Sequence, residues 1–170
     1  MIHVVLYQPE IPPNTGNIMR TCAATNTMLH IIHPIGFSLE EKHLRRAAMD
    51  YYQFVNFKEY DSFEHFLSEN NPKTIYFLTR YGQKNHTEID YTKHQDVYFM
   101  FGRESTGIPK EILKAHLDTC LRIPMNNHVR SLNLANCVMV LVYEALRQTG
   151  FPDLSLAEPE EFKGKDWLEQ

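Results

Sequence analysis

The chain has 170 residues, 43% of them hydrophobic and 22% charged, which is enough to bury a core without disulfides or metals. Its net charge of −4 excludes a uniformly basic surface, so a polyanion must meet a local basic patch or one completed by a second subunit. Three widely spaced cysteines, no long apolar run and no basic leader argue against a disulfide scaffold, a membrane span and a secretion signal, and a reducing cytoplasm is the expected setting.

The first apolar run, Ile2–Tyr7, reads as a strand. It leads through Pro12 and Pro13 into a helix over Thr15–Asn26, with Asn14 as the expected N-cap and with Asn17 and Arg20 on one helix face. A second strand, Leu29–His33, precedes a helix over Leu39–Met49, where Ser38 and Glu41 have capping-box spacing. Gln53–Tyr60 holds a further short strand. A helix over Ser62–Glu69 follows, with Asp61 and Glu64 as a looser capping pair. Then come strand Thr74–Thr79, strand Val97–Phe101, helix Pro109–Ala115, strand Leu121–Ile123 and helix Leu132–Gln148. Near-continuous apolar strands alternating with helices imply an α/β fold, a mostly parallel open sheet with helices on both faces. The chain reads as a single domain over 1–170, with a core over 1–150 and a tail over 151–170 whose charged end, carrying Trp167, is expected to dock on the domain.

The last helix is apolar along two adjacent rows: Leu134, Val138, Leu141 and Ala145, then Ala135, Met139, Val142 and Leu146. A surface helix needs one such stripe. The extra girth fits burial against the sheet and also against a partner subunit, or deep burial within a monomer.

In open α/β sheets, ligands bind beyond the carboxyl ends of the strands. Three such ends stand out: Leu78–Gly82, Phe101–Gly107 and Ile123–Asn127. A bulky residue at Gly102 should fill a pocket there and spare the sheet. Arg20, beside a helix start, offers a planar fork to phosphate. Ser131 is the expected cap of the last helix. Asn133 and Asn136 stand in an otherwise apolar segment, so a ligand or loop backbone must satisfy them. Gly102 to Gly107 is not followed by Gly-Lys-Ser/Thr, the first strand lacks G-x-G-x-x-G, and the nine histidines have no metal-ligand spacing, so no metal is expected.

The segments Asn14…Gly16-Asn17…Arg20, Phe101-Gly102-Arg103-Glu104…Gly107-Ile108-Pro109 and Ile123-Pro124-Met125…Ser131-Leu132-Asn133-Leu134 occur in this order. Together they resemble the three motifs of SPOUT-class RNA methyltransferases. The opening Leu6–Ile18, Leu44-Arg45-Arg46-Ala47 and Asp50-Tyr51 resemble the TrmL (YibK) family. The resemblance implies a C-terminal trefoil knot, a homodimer and 2'-O-ribose methylation of the wobble nucleotide, cytidine or modified uridine, of leucine tRNAs. S-adenosylmethionine would be the cofactor. It would be held by Leu78, Thr79, Gly102, Glu104, Ile123, Met125, Ser131 and Leu132. Arg20, Asn14, Glu104, Ser131 and Asn133 would form the catalytic group. Arg20, Arg45, Arg46, Arg80, Arg103 and Arg130 would meet the RNA. The alternatives are an RNA-binding relative without activity and another nucleotide-dependent α/β enzyme.

Overall fold

The computed structural model describes residues 1–39 and 49–170. The expected Leu39–Met49 helix, the Ser38–Glu41 pair, Arg45 and Arg46 therefore fall wholly or largely outside the described residues.

Among the described residues seven strands form one sheet: β1 (Ile2–Tyr7), β2 (Met28–Ile32), β3 (Phe57–Tyr60), β4 (Ile75–Leu78), β5 (Lys84–Asn85), β6 (Val97–Phe101) and β7 (Cys120–Arg122). Their order is β3-β2-β1-β6-β4-β7-β5, and every pairing is parallel. The expected strands are present, Ile2–Tyr7 and Val97–Phe101 with the expected ends and the others with shifted ones. β5 has two polar residues and no apolar pattern to betray it.

Alternation along the strands sorts side chains onto two faces. Val4, Leu6, Leu29, Ile31, Phe99 and Phe101 pack with Ile18, Met19, Cys22, Val138, Leu141 and Val142. These come from α1 (Pro12–Ala24) and from the last helix, labelled α4 (Leu134–Thr149). Val5, Ile32, Phe77, Tyr98 and Met100 pack on the opposite face with Phe63, Phe66, Ile112 and Leu113. Those belong to α2 (Phe63–Asn70) and α3 (Lys110–Ala115).

The helix starts correct three expectations. In α1 the N-cap is Ile11, and Pro12 and Pro13 occupy the first turn, where proline's missing N–H costs nothing. Asn14 is thereby inside the helix, with its side chain released for other partners. α2 is capped by Ser62, whose hydroxyl accepts from the His65 amide, rather than by Asp61. α4 is capped by Asn133, which accepts from the Asn136 amide, rather than by Ser131. α4 ends at Gly150, whose φ of 77° suits glycine.

Val138, Leu141, Val142, Ala145 and Leu146 are buried, whereas Met139, Val140 and Tyr143 are exposed on another side of α4. After α4, Phe151 and Leu154 pack on the core. The end of the tail does not dock as expected: Leu156, Phe162 and Leu168 are exposed, and half-exposed Trp167 is covered by its own neighbour, with Lys163 Nζ 4.1 Å from the ring centre.

Candidate active site

The carboxyl ends of β4, β6 and β7 are adjacent in the sheet, and the loops leaving them surround a cavity of about 780 Å³. That volume suits a small-molecule ligand, and the lining mixes apolar side chains with polar and charged ones. Leu78, Thr79, Gly102, Glu104, Ile123, Met125, Ser131 and Leu132 all line it. Three segments separated in sequence thus converge as expected, and Arg80, Arg103, Arg130, Asn14 and Asn133 line the same space.

Arg20 does not. Around the start of α1, the N-cap Ile11 and Asn14 line the cavity. Arg20 lies six residues beyond Asn14, about 240° round the helix. Its guanidinium sits over the Tyr51 ring, 4.9 Å from the centroid.

A polar chain joins the motifs. The Glu104 carboxylate accepts from the Glu10 amide at 2.9 Å, the Ile11 amide at 3.3 Å and Asn14 Nδ2 at 3.2 Å. Asn14 Oδ1 accepts from Asn133 Nδ2 at 3.0 Å. Asn133 in turn starts α4, so the entry to α1, the loop after β6 and the entry to α4 are tied together. Asn136, expected to need a ligand, is exposed.

The anchoring is reciprocal. Glu10 accepts from the Ser105 amide at 2.9 Å and from the Ser105 hydroxyl at 2.8 Å, and these two bonds hold its carboxyl below the usual carboxylate range. Arg103 donates to Gln8 Oε1 and stands 5.8 Å from the Tyr7 ring centre. Gln8 has a φ of 50°, a strained value for a side chain with a Cβ. Nothing local in the sequence marks Gln8 and Glu10 for this role, because their partners are about 95 residues away.

Gly102 corrects a further expectation. A Cβ built there lies 2.1 Å from the Gly107 carbonyl carbon and 2.2 Å from the Ile108 nitrogen, both backbone. A larger residue would therefore displace the 102–107 loop itself rather than simply fill the cavity. Cys137 also lines the cavity, but burial pushes its thiol up to about 11, so it is a neutral wall and no nucleophile. Among the described residues no group of three or more His, Cys, Asp or Glu side chains is placed to hold a metal. No described helix is long and apolar enough to cross a membrane.

A family model described as the SpoU rRNA Methylase family matches residues 1–143. A relative from Geobacillus stearothermophilus is 55% identical over 155 residues, 91% of this chain and 99% of that protein. The tRNA (cytidine(34)-2'-O)-methyltransferase of Escherichia coli K12 is 45% identical over 159 residues, 93% of this chain and 100% of its own. A solved structure described as giving insight into 2'-OH methylation of C/U34 on tRNA superposes with a TM-score of 0.81 at 43% identity, covering 88% of this chain and 97% of its own. An AdoMet-bound rRNA methyltransferase from Sinorhizobium meliloti superposes with a TM-score of 0.77 at 25% identity, covering 86% of this chain and 56% of that one.

Proposed function

The chain belongs to the SpoU rRNA methylase family, and from that premise we propose that it is a tRNA 2'-O-methyltransferase that uses S-adenosylmethionine to methylate the wobble ribose, at cytidine or modified uridine, of leucine tRNAs. The observation that carries the reading is the Glu104–Asn14–Asn133 chain, which fixes three motifs around one cavity.

The residues present fit S-adenosylmethionine. Leu78, Ile123, Met125 and Leu132 would offer apolar surface to its adenine, while Thr79, Glu104, Ser131 and the close-packed backbone at Gly102 would offer polar contacts. When bound, the cofactor supplies a methyl group on an electron-poor sulfur. The chain's own task is to hold the ribose hydroxyl in line with that group, since positioning accounts for much of such a rate gain. Asn14, Glu104, Ser131 and Asn133 form the rim that sets this alignment. Proton removal does not fall to Arg20, because a guanidinium stays protonated in proteins. Arg20 instead holds a phosphate of the RNA and stabilises charge developing on the ribose oxygen.

Arg20 lies outside its own chain's cavity, so it acts across a homodimer, in the site of a second copy. The exposed Met139, Val140 and Tyr143 on α4, which packs beside α1, supply the apolar patch for such a two-fold contact. Arg80, Arg103 and Arg130 meet the RNA, and Arg45 and Arg46 extend that surface. The segment from β7 into α4 forms the trefoil knot that the resemblance implies. Buried Cys22, Cys120 and Cys137, free of disulfides, suit a reducing cytoplasm.

Mass mapping of ribose methylation at position 34 of leucine tRNAs, from cells with and without the protein, tests this reading. Loss of the mark without the protein, and its restoration by purified protein with S-adenosylmethionine, is the expected result. Unchanged methylation refutes it.

A further inference from the structure

Tyr81 has no part in the reading above, yet it lines the cavity and is 70% exposed. Phe101 and Ile108, which line the same cavity, are buried. A large ring left in water is informative when its backbone is held in place, and here it is held from several sides. The Gly82 amide donates to the Thr79 carbonyl at 3.2 Å, closing the turn. The Tyr81 amide donates to Thr79 Oγ1 at 3.3 Å, and the Thr79 amide to the Leu121 carbonyl on β7 at 3.0 Å. The Arg122 guanidinium donates to the Arg80 carbonyl. Gly82 lies so close to β7 that a Cβ there would be 2.5 Å from the Leu121 carbonyl carbon. The ring itself is oriented by Arg80, whose guanidinium donates to the Tyr81 hydroxyl at 2.6 Å and stands 4.8 Å from the ring centre.

Charge around the ring selects the partner. Among the described residues, the cavity lining carries three arginines, Arg80, Arg103 and Arg130, against one acidic residue, Glu104. The Glu104 carboxylate accepts from two backbone amides and Asn14, and its one negative charge does not offset three positive ones. On a chain of net charge −4 this is a local cationic mouth with an aromatic face in it. Such a pairing binds single-stranded nucleic acid, because phosphates meet the cations and any base can stack on the ring.

We propose that the Thr79–Gly82 loop is a base-stacking platform, on which Tyr81 receives the nucleobase beside the nucleotide whose ribose is methylated. This rests on the RNA methyl-transfer reading and adds a residue to it. Bringing a ribose hydroxyl into the cavity unstacks its nucleotide, which costs the neighbouring base a partner. Tyr81 replaces that partner. The cofactor's adenine does not fill this role, because an enclosed ligand would take the half-buried apolar wall of Leu78, Ile123 and Met125 rather than a ring left 70% exposed.

The test compares Tyr81→Ala and Tyr81→Trp with the parent dimer, measuring steady-state methylation of a leucine tRNA transcript and calorimetric binding of S-adenosylhomocysteine. Tyr81→Ala should raise the KM for tRNA by about tenfold or more. Its kcat should fall far less, and its affinity for S-adenosylhomocysteine should be kept. Tyr81→Trp should restore the KM, because it restores a stacking face. A parent-like KM in Tyr81→Ala overturns the platform, and so does a parallel loss of S-adenosylhomocysteine affinity, which would assign the ring to the cofactor. A parent that neither binds nor methylates tRNA removes the functional reading and the platform with it. A methylating parent with an indifferent Tyr81→Ala removes the platform alone.

Discussion

Arg20 and Gly102 are two motif residues with opposite placements, one outside the cavity lining and one within it. Arg20 is not among the described residues that line its own cavity, and its guanidinium sits over the Tyr51 ring. Replacing it with alanine should lower methyl transfer by on the order of 10²-fold or more, the usual cost of deleting a donor aimed at developing oxyanion charge. S-adenosylmethionine affinity, read by calorimetry, should stay near the parent value, and lysine should rescue poorly for want of a planar fork. A near-parent rate in Arg20→Ala would make the residue structural. Gly102 acts through clearance instead. With backbone 2.1 Å from any added Cβ, even Gly102→Ala must push the 103–107 loop outward. Cofactor affinity should drop sharply, together with a lower melting temperature. A melting temperature equal to the parent's would show that the loop yields without cost.

At the scale of elements, α4 separates the residues that build the fold from those available to a partner. Val142 is fully buried and Met139 is 49% exposed, although both belong to the second apolar row of the sequence. Met139→Glu should therefore convert the proposed dimer to monomer in sedimentation while the melting curve stays cooperative. Val142→Asp should unfold the chain, because it buries an unpaired charge. The pairing of β1 with β2 carries a different liability. His30 is buried between His3 Nδ1 at 2.9 Å and the Tyr60 hydroxyl at 2.8 Å, and burial, aided by the charges of His3 and Lys58, pushes its pKa down to about 3. Burial also holds His3 below its ordinary value, against the pull of Asp96. An unfolded histidine takes its proton below about pH 6.5. Between that pH and the folded value the unfolded state binds more protons, so stability falls as the pH falls. Urea unfolding should lose up to about 1.4 kcal/mol per pH unit below pH 6.5 for His30 alone. His30→Gln should flatten that slope, and an unchanged slope would place the titration elsewhere.

At the scale of the whole molecule, the parallel sheet and the convergence of three strand-end loops were legible in the sequence, because runs such as Val97–Phe101 are apolar throughout and only a sheet covered on both faces takes such strands. The cap positions were not. Asn14 and Ser131 are residue types that cap helices, but Pro12 and Asn133 moved the starts, and tertiary hydrogen bonds to Glu104 decided where Asn14 would serve. Tyr81 was invisible for a similar reason, since only the folded loop shows that its ring stays in water. The contrast between a −4 chain and a cavity rimmed by three arginines likewise needs the fold, which gathers cations from positions 80, 103 and 130.

The reciprocal bonds between residues 8–14 and 103–105 have a practical meaning for anyone recombining this enzyme with a relative. Arg103 with Gln8, Glu104 with the amides of Glu10 and Ile11, and Ser105 with Glu10 behave as two halves of a plug and its socket. A chimaera that imports the 102–107 loop alone would carry half of that fitting and should melt lower than one that imports 8–14 as well. Equal melting temperatures would show the halves to be independent. The heritable unit at this site is then a discontinuous cassette, and crossovers placed between its two parts are the ones recombination should punish.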